Sequence, residues 1–176
     1  MNEFKMDQER IRSEARANID HGPITSAYGG DAQRVVDVCN QALASEIVCV
    51  LRYKRHYFTA TGLNSEAVAT EFLEHANAEQ AHADMLSQRI VQLGGDPDLD
   101  PANIATKSVT DYDTVAGLRE MITEDLVAER IVISTYTEII RWLGNADPTT
   151  RRIFESLLAD EEEHADDLQS LLERVG

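Results

Sequence analysis

The sequence predicts an all-α protein whose core is a four-helix up-down bundle. Gly and Pro are scarce, at 9 and 4 of 176 residues, whereas Ala, Leu, Glu and Arg, which favour helices, are plentiful. Apolar residues recur every three or four positions through four long segments, which is the period of an amphipathic helix. With 43% hydrophobic residues the chain can bury one core of its own, so a single bundle domain suffices.

The sequence predicts an N-terminal extension over residues 1–30 and the bundle over residues 31–176. The extension is polar, nearly balanced in charge, and ends in the breaker pairs Gly22-Pro23 and Gly29-Gly30. We expect one short helix in it, around residues 7–19. Packing across a subunit boundary is its simplest use, because a near-neutral segment is a poor arm for nucleic acid.

The first two long helices are predicted to be joined by a short turn. The first covers residues 31–59, with Asp31 as a plausible N-cap. The second begins at Ser65, which can serve as its cap, and stops at Gly94-Gly95. The turn between them, residues 61–64, is short enough to make the two helices antiparallel neighbours.

A long connection is predicted next, because residues 96–110 contain prolines and aspartates and have no sustained period. Such a connection allows the third helix, residues 113–143, to start from the opposite end of the bundle. Gly144 ends this helix. Asp147-Pro148, an N-cap followed by proline at the first helical position, starts the fourth helix, which reaches about residue 174.

Charge and cysteine content exclude several classes of protein. A formal net charge of -16 repels nucleic acid and anionic membranes, and no segment approaches the ~18 apolar residues of a membrane span. Cys39 and Cys49 are predicted about 15 Å apart along one helix, too far for a disulfide. We therefore expect a cytoplasmic protein without a signal peptide or membrane contact, for which nucleic acid is an improbable partner.

Two copies of Glu-x-x-His carry the candidate chemistry, one running from Glu79 to His82 and the other from Glu161 to His164. A spacing of three places both side chains on one helical face, one turn apart, where they can reach the same cation. Carboxylate with imidazole suits iron, manganese or zinc better than calcium or magnesium. Two copies on separate helices are a much stronger signal than one.

Both motifs lie on the apolar stripes of their helices, and so do two further glutamates, Glu46 and Glu129. Each of the four helices is thus predicted to direct a glutamate into the core. Burying ionised carboxylates without a counter-charge costs several kcal/mol each, which a marginally stable domain cannot absorb four times. Two divalent cations would neutralise the four charges. The predicted metal ligands are Glu46, Glu79, His82, Glu129, Glu161 and His164.

The chain resembles the bacterioferritin branch of the ferritin-like family over about residues 35–172. The ligand set of one Glu from each of two helices and Glu-x-x-His from each of the others is that of ferritin-like di-metal carboxylate proteins. The matching residues are Glu46, Tyr53 and His56 on the first helix, Asp125 and Glu129 on the third, and Asp160, Glu161, Glu162 and His164 on the fourth.

This resemblance implies a ferroxidase. Two iron ions per subunit would be held at a ferroxidase centre, where manganese or zinc could substitute, with Glu46 and Glu129 as terminal or bridging carboxylates. Fe(II) would be oxidised to Fe(III) with oxygen or hydrogen peroxide. A homo-oligomeric shell would store the ferric mineral or remove the iron.

Three features depart from the bacterioferritin pattern. Gln80 stands where bacterioferritins have the methionine that binds haem, so we expect no haem. Twelve residues follow His164, too few for the fifth helix of the larger cages. The N-terminal extension is longer than usual and is similar to the arms of Dps-type mini-ferritins, so shells of twelve and of twenty-four subunits both remain open.

Related di-metal proteins give the alternative functions. The helix motif of Dps sites between subunits is not found, and two cysteines cannot build the four-cysteine module of rubrerythrins. A di-metal peroxidase or catalase with iron or manganese and without mineral storage stays open. So does a bundle that only scaffolds a partner.

Other polar residues on the helices have structural interpretations beside functional ones. Tyr53 is either a core residue or an electron donor, and the two cysteines are more typical of small buried apolar residues than of redox partners. His56 and His75 are either structural or auxiliary ligands on the path of iron into the centre. Asp160 would replace Glu161 as a ligand if the helical phase were one residue off, and Glu74 and Asp125 are similar alternative candidates.

Overall fold

A computed structural model describes residues 5–17, 19–62 and 65–175, and within them all regular structure is helical. Four long helices form the bundle: α2 (Ala32–Thr59) packs along α3 (Ser65–Gln92), and α5 (Leu118–Leu143) packs along α6 (Pro148–Arg174). The predicted four-helix bundle with a preceding extension is confirmed. The α-helices are α1 (Gln8–Glu14), α2 (Ala32–Thr59), α3 (Ser65–Gln92), α4 (Pro101–Lys107), α5 (Leu118–Leu143) and α6 (Pro148–Arg174), with a 3-10 turn at Ile19–His21.

Local capping signals fix three of the predicted helix ends. The Asp31 carboxylate accepts a hydrogen bond from the backbone N–H of Arg34 at 3.2 Å and begins α2. Asp147 does the same for Thr150 at 2.9 Å and begins α6. Gly144, at φ 49°, ends α5 in a conformation that side chains with a Cβ avoid.

The third long helix begins at Leu118 instead of the predicted position 113. The guanidinium of Arg55 donates to the carbonyls of Thr114 and Val115 at 3.0 and 3.1 Å. The Asp113 carboxylate accepts from the Val115 backbone N–H at 2.8 Å. These bonds hold the segment as an extended turn, because its backbone groups already have partners outside a helix.

The predicted long connection between α3 and α5 also contains a short helix, which the sequence analysis does not predict. The Asp100 side chain caps α4 by accepting from the Ala102 N–H at 2.9 Å, and Pro101 follows as the first helical residue. This is the same Asp-Pro signal that starts α6. The helix packs against α2.

The same connection runs the length of α2, which confirms the predicted crossover. Near the start of α2, Asn40 donates to the Asp96 carbonyl at 3.1 Å. Further along, the Ser45 hydroxyl accepts from the Val109 N–H at 3.0 Å, and Arg52 reaches the Asp111 carbonyl at 3.0 Å. α5 therefore starts at the far end of the bundle and runs parallel to α3.

Two apolar clusters fill the bundle, and a polar layer lies between them. One cluster lies toward the start of α2 and includes Val36, Leu43 and Phe154. The other lies toward its end and includes Phe72 and Leu168. Glu46 falls between the two clusters along α2 and is 1% exposed. The polar layer is thus enclosed by apolar packing on both sides.

The N-terminal extension touches the bundle near residue 28. The Tyr28 hydroxyl donates to Asp147 at 2.9 Å, and Ile24 and Tyr28 pack on the first apolar cluster. α1 has no buried residue. Over the part of the chain that the structure describes, no helix combines the length and apolar character needed to cross a bilayer.

Candidate metal centre

Six predicted ligand side chains, one or two from each long helix, meet in the polar layer. The helical phases that direct the apolar residues inward also direct these side chains inward, since they share the same faces. All are at most 7% exposed. We refer to this candidate site for two ions as the dinuclear centre: Glu46 from α2, Glu79 and His82 from α3, Glu129 from α5, and Glu161 and His164 from α6.

The ligand atoms form two overlapping groups that share Glu79 and Glu161. In each group the atoms lie within 4.8 Å of one another, close enough to hold a single ion. The Nδ1 atom of His82 lies 3.2 Å from Glu161 and 3.3 Å from Glu79. The first group is Glu46, Glu79, His82 and Glu161, and the second is Glu79, Glu129, Glu161 and His164.

Most of these atoms lack hydrogen-bond donors or acceptors in the described chain. Both oxygens of Glu161, one oxygen each of Glu46, Glu79 and Glu129, and Nδ1 of both ligand histidines are buried and unpartnered among the described residues. Unpartnered buried polar atoms cost about 1–3 kcal/mol each, and more when charged. Atoms of this chemistry, converging at these separations, fit two cations.

Electrostatics in the centre favour proton uptake when no metal is bound. Burial, with the charges of Glu79 and Glu161, raises the pKa of Glu46 well above its ordinary value. Burial and the same two neighbours raise the pKa of Glu129. Although burial opposes it, the nearby carboxylates of Glu161 and Glu79 raise the pKa of His164 to about 9. Protons thus take the place of part of the missing positive charge.

A tyrosine holds each of the two unshared glutamates. The Tyr53 hydroxyl on α2 donates to Glu129 on α5, and the Tyr136 hydroxyl on α5 donates to Glu46 on α2. Each tyrosine stands seven residues after the glutamate of its own helix and bonds the other helix's glutamate. Sequence reasoning noted Tyr53 but missed the role of Tyr136, which the repeated spacing could have revealed.

His56 and Asp125 lie next to the centre but pair with each other. His56 Nδ1 lies 2.8 Å from one Asp125 oxygen, and Arg52 Nε donates to the other oxygen at 2.8 Å. All three side chains are at most 2% exposed. The buried triad joins α2 to α5. Because Asp125 pairs with Arg52 and His56, its carboxylate is not available to a metal ion.

Asp160 lies at the edge of the centre, and the structure places Glu161 inside it. Asp160 is 48% exposed, and one of its oxygens lies 3.2 Å from His82 Nε2. A carboxylate on the outer nitrogen of a ligand histidine fixes the ring and favours a free Nδ1 toward the centre. Asp160 is therefore suited to orient His82, and the helical phase assumed for Glu161 agrees with the structure.

Gln80 and the two cysteines are not among the candidate ligands. Gln80 is exposed and donates to Asp84 on its own helix at 3.0 Å. Cys39 and Cys49 are free and buried. Burial raises the pKa of Cys39 to about 12, which leaves very little reactive thiolate at neutral pH.

Comparison with known proteins agrees with this architecture. Bacterioferritin of Rhodobacter capsulatus is 32% identical over 154 residues, which cover 84% of this chain and 89% of that protein. The nutrient stress-induced DNA-binding protein of Synechococcus sp. is 30% identical over 135 residues, covering 75% and 77%.

A solved structure is similar over the same region. The dodecameric thioferritin of Bacteroides fragilis, a bacterioferritin-related protein, superposes with a TM-score of 0.80 at 32% identity, covering 84% of this chain and 89% of that one. The model of the ferritin-like domain family matches residues 37–175, which include all four long helices from the second turn of α2 onward. The chain belongs to the ferritin-like family.

Proposed function

We propose that this protein is a ferroxidase that oxidises Fe(II) to Fe(III) at the dinuclear centre, for iron storage or detoxification. The observation that supports this most is the convergence of four buried carboxylates and two imidazoles with unpartnered atoms. Membership of a family that contains bacterioferritins adds to it. Iron is here the substrate, and oxygen or hydrogen peroxide accepts its electrons.

The two overlapping groups suggest how the ligands divide. Glu46 with His82 would hold one ion, and Glu129 with His164 the other, while Glu79 and Glu161 bridge them. Four carboxylates balance the charge of two divalent ions, so loading brings no net charge into the apolar interior. That neutrality suits a borderline metal of the first transition row, such as iron, and manganese or zinc could occupy the same ligands.

The chain's own residues would prepare and maintain this ligand set. Loading displaces protons from Glu46 and His164, so binding weakens as pH falls. The Tyr53 and Tyr136 hydroxyls keep the terminal glutamates in their inward rotamers. The apolar clusters on either side of the polar layer would limit the access of water to the reacting region.

The assembly that we propose is a homo-oligomeric shell of twelve chains. The Bacteroides fragilis relative is described as dodecameric. Side chains that are apolar and exposed on the described helices would be covered at subunit contacts: Leu51, Phe58, Val127, Ile131 and Trp142. A native mass near twelve times the 19.6 kDa chain is expected, and a stable monomer would contradict the shell. The free cysteines fit a reducing compartment such as the cytoplasm.

The ferroxidase proposal is tested by the initial rate of Fe(III) formation after Fe(II) is mixed with oxygen or hydrogen peroxide. Glu79→Gln removes the charge of a bridging carboxylate with almost no change of volume. We expect the rate per chain to fall at least about tenfold. Glu162→Gln, on the exposed face of α6, is the matched control and should keep the wild-type rate. Equal rates in the two variants would refute the proposal.

A further inference from the structure

An open cleft of about 280 Å³ lies between α3 and α6, beside the dinuclear centre. Its lining is acidic except for two histidines and an alanine. One of the histidines, His164, belongs to the dinuclear centre, so the cleft borders that centre. The other, His75, has no part in the proposed ligand set. We call this the α3/α6 cleft.

His75 directs an unpartnered nitrogen into the α3/α6 cleft. The residue is 3% exposed, and its Nε2 is buried without a hydrogen-bond partner among the residues described. Its Nδ1 lies 3.3 Å from the Tyr53 hydroxyl, which accounts for the other nitrogen. A buried imidazole nitrogen that faces carboxylates but is bonded to neither is available to bind an ion.

Two carboxylates face that nitrogen at the spacing of metal ligands. His75 Nε2 lies 3.6 Å from Glu71 and 3.7 Å from Asp167, beyond hydrogen-bond length. Ligand atoms about 2.1 Å from a shared tetrahedral ion are themselves about 3.4 Å apart. The three ligand atoms all lie within 4.8 Å of one another, so one ion can reach them together.

The geometry points to a third cation site formed by Glu71, His75 and Asp167 in the α3/α6 cleft, for a divalent transition-metal ion. One imidazole with two carboxylates suits a borderline first-row metal better than calcium or magnesium. The side chains of Glu71 and Asp167 are 31% and 46% exposed, so an ion can enter from solvent and water can fill its remaining coordination positions. This site is accessible to solvent, whereas the dinuclear centre is buried.

The position of this site suggests its use as the entrance for the metal substrate, a role that rests on the proposed function. The His75 ring stacks on His164, with centroids 4.2 Å apart and planes inclined by 24°. His164 is the most exposed ligand of the dinuclear centre, at 7%. An ion held by His75 is therefore one imidazole away from the centre, on its most accessible side.

Zinc is the probe for the test, because it binds the same ligand types and has no redox chemistry. Crystals of the full chain are soaked in excess Zn²⁺, and anomalous difference maps locate the ions. We expect a peak within about 2.2 Å of His75 Nε2, separate from those of the dinuclear centre. Asp167→Asn should abolish that peak. Asp166→Asn, the same change on the neighbouring exposed residue, should keep it.

A solution measurement accompanies the maps, so the result does not depend on crystal packing. Equilibrium dialysis against Zn²⁺ should show one ion fewer per chain for Asp167→Asn than for wild type, and no loss for Asp166→Asn. Peaks at the dinuclear centre with none at His75 would overturn the third site and leave the ferroxidase proposal standing. A peak at His75 with none at the dinuclear centre would support the third site and refute the ferroxidase proposal.

The entrance role has its own readout. With the dinuclear peaks unchanged, Asp167→Asn should slow Fe(II) oxidation at limiting iron several-fold, and Asp166→Asn should not. Equal rates would overturn the entrance role, because a site on the path must affect loading.

Discussion

At the scale of single residues, the dinuclear centre depends on groups that are not ligands. The hydroxyls of Tyr53 and Tyr136 are the donors that the structure gives to Glu129 and Glu46, whose second oxygens are unpartnered in the described chain. A buried carboxylate without any donor would carry the full cost of its lost hydration. We therefore expect the Tyr136 hydroxyl to stabilise the metal-free protein.

Tyr136→Phe should destabilise the metal-free protein. The ring is 1% exposed and packs edge-on against Phe154, so phenylalanine keeps the packing and removes only the hydroxyl that serves Glu46. We expect the free energy of unfolding in urea to fall by about 1–3 kcal/mol. Tyr112→Phe, on a side chain that is 50% exposed, should change it by less than about 0.5 kcal/mol. Equal losses would show that the hydroxyl bond contributes nothing.

The burial of the six candidate ligands could be predicted from the sequence, whereas their hydrogen-bond partners could not. Whether Glu46 faces the core is a property of its own helix, visible in the residues three, four and seven positions away. Which hydroxyl reaches Glu46 depends on where α5 lies against α2, which no local pattern records. The role of His75 stays open in the sequence for the same reason, since its neighbours Glu71 and Asp167 come from two helices.

At the scale of elements, Asp147 joins three parts of the chain. It caps α6 through the Thr150 N–H, accepts from both Arg89 on α3 and Tyr28 of the extension, and is 1% exposed. Arg89 is itself 6% exposed. The start of α6 is thus fixed to α3 and to the N-terminal extension by one side chain.

Asp147→Asn should destabilise the fold more than the loss of an ordinary cap. Removing its charge leaves Arg89 buried without its counter-charge, which typically costs about 3–5 kcal/mol. Asp31→Asn, at the exposed cap of α2, keeps a capping side chain and should cost less than about 1 kcal/mol. Urea unfolding at pH 7 compares the two. Similar losses would mean that the Arg89 pair adds nothing to the cap.

The same comparison has a predicted pH dependence. Burial raises the pKa of Asp147, but hydrogen bonds from Thr150, Arg89 and Tyr28 outweigh it and hold that pKa below its ordinary value. A lowered carboxyl pKa means that this stabilisation is complete above the unfolded value and is lost as pH falls through the folded value. The difference between wild type and Asp147→Asn should therefore be constant from pH 7 to about 5 and shrink below about pH 4. A difference that grows on acidification would contradict this assignment.

Helix ends were predictable where the capping group is local and unpredictable where it is distant. Asp31 and Asp147 cap residues three positions ahead, so the sequence shows both partners. The late start of α5 depends on Arg55, some sixty residues earlier, which holds the Thr114 and Val115 carbonyls. The short helix α4 is not predicted, although its local signal, Asp100-Pro101, lies within the predicted long connection.

At the scale of the whole molecule, the metal-free fold encloses a charge imbalance that cations would remove. Burial and neighbouring carboxylates raise the pKa of Glu46 far above its ordinary value. A raised carboxyl pKa means that the group destabilises the fold at pH values above its unfolded pKa, and that this penalty disappears as pH falls. The bundle is therefore less stable without metal, at neutral pH, than its apolar packing alone would make it.

Glu46→Gln should act on stability with opposite signs in the two states. Glutamine resembles a protonated glutamate and can still accept from Tyr136, so the metal-free variant should unfold at an equal or higher temperature than wild type at pH 7. Zn²⁺ at about a hundred times its Kd should stabilise wild type by about 2.7 kcal/mol per site, which raises Tm by roughly 5–10 °C for a chain of this size. The variant should lose at least half of that increase, because one ion loses a charged ligand. Thermal unfolding with and without Zn²⁺ measures both effects. If Glu46→Gln lowers Tm without metal and keeps the full increase with Zn²⁺, then this carboxylate is structural, and the electrostatic argument for the dinuclear centre fails.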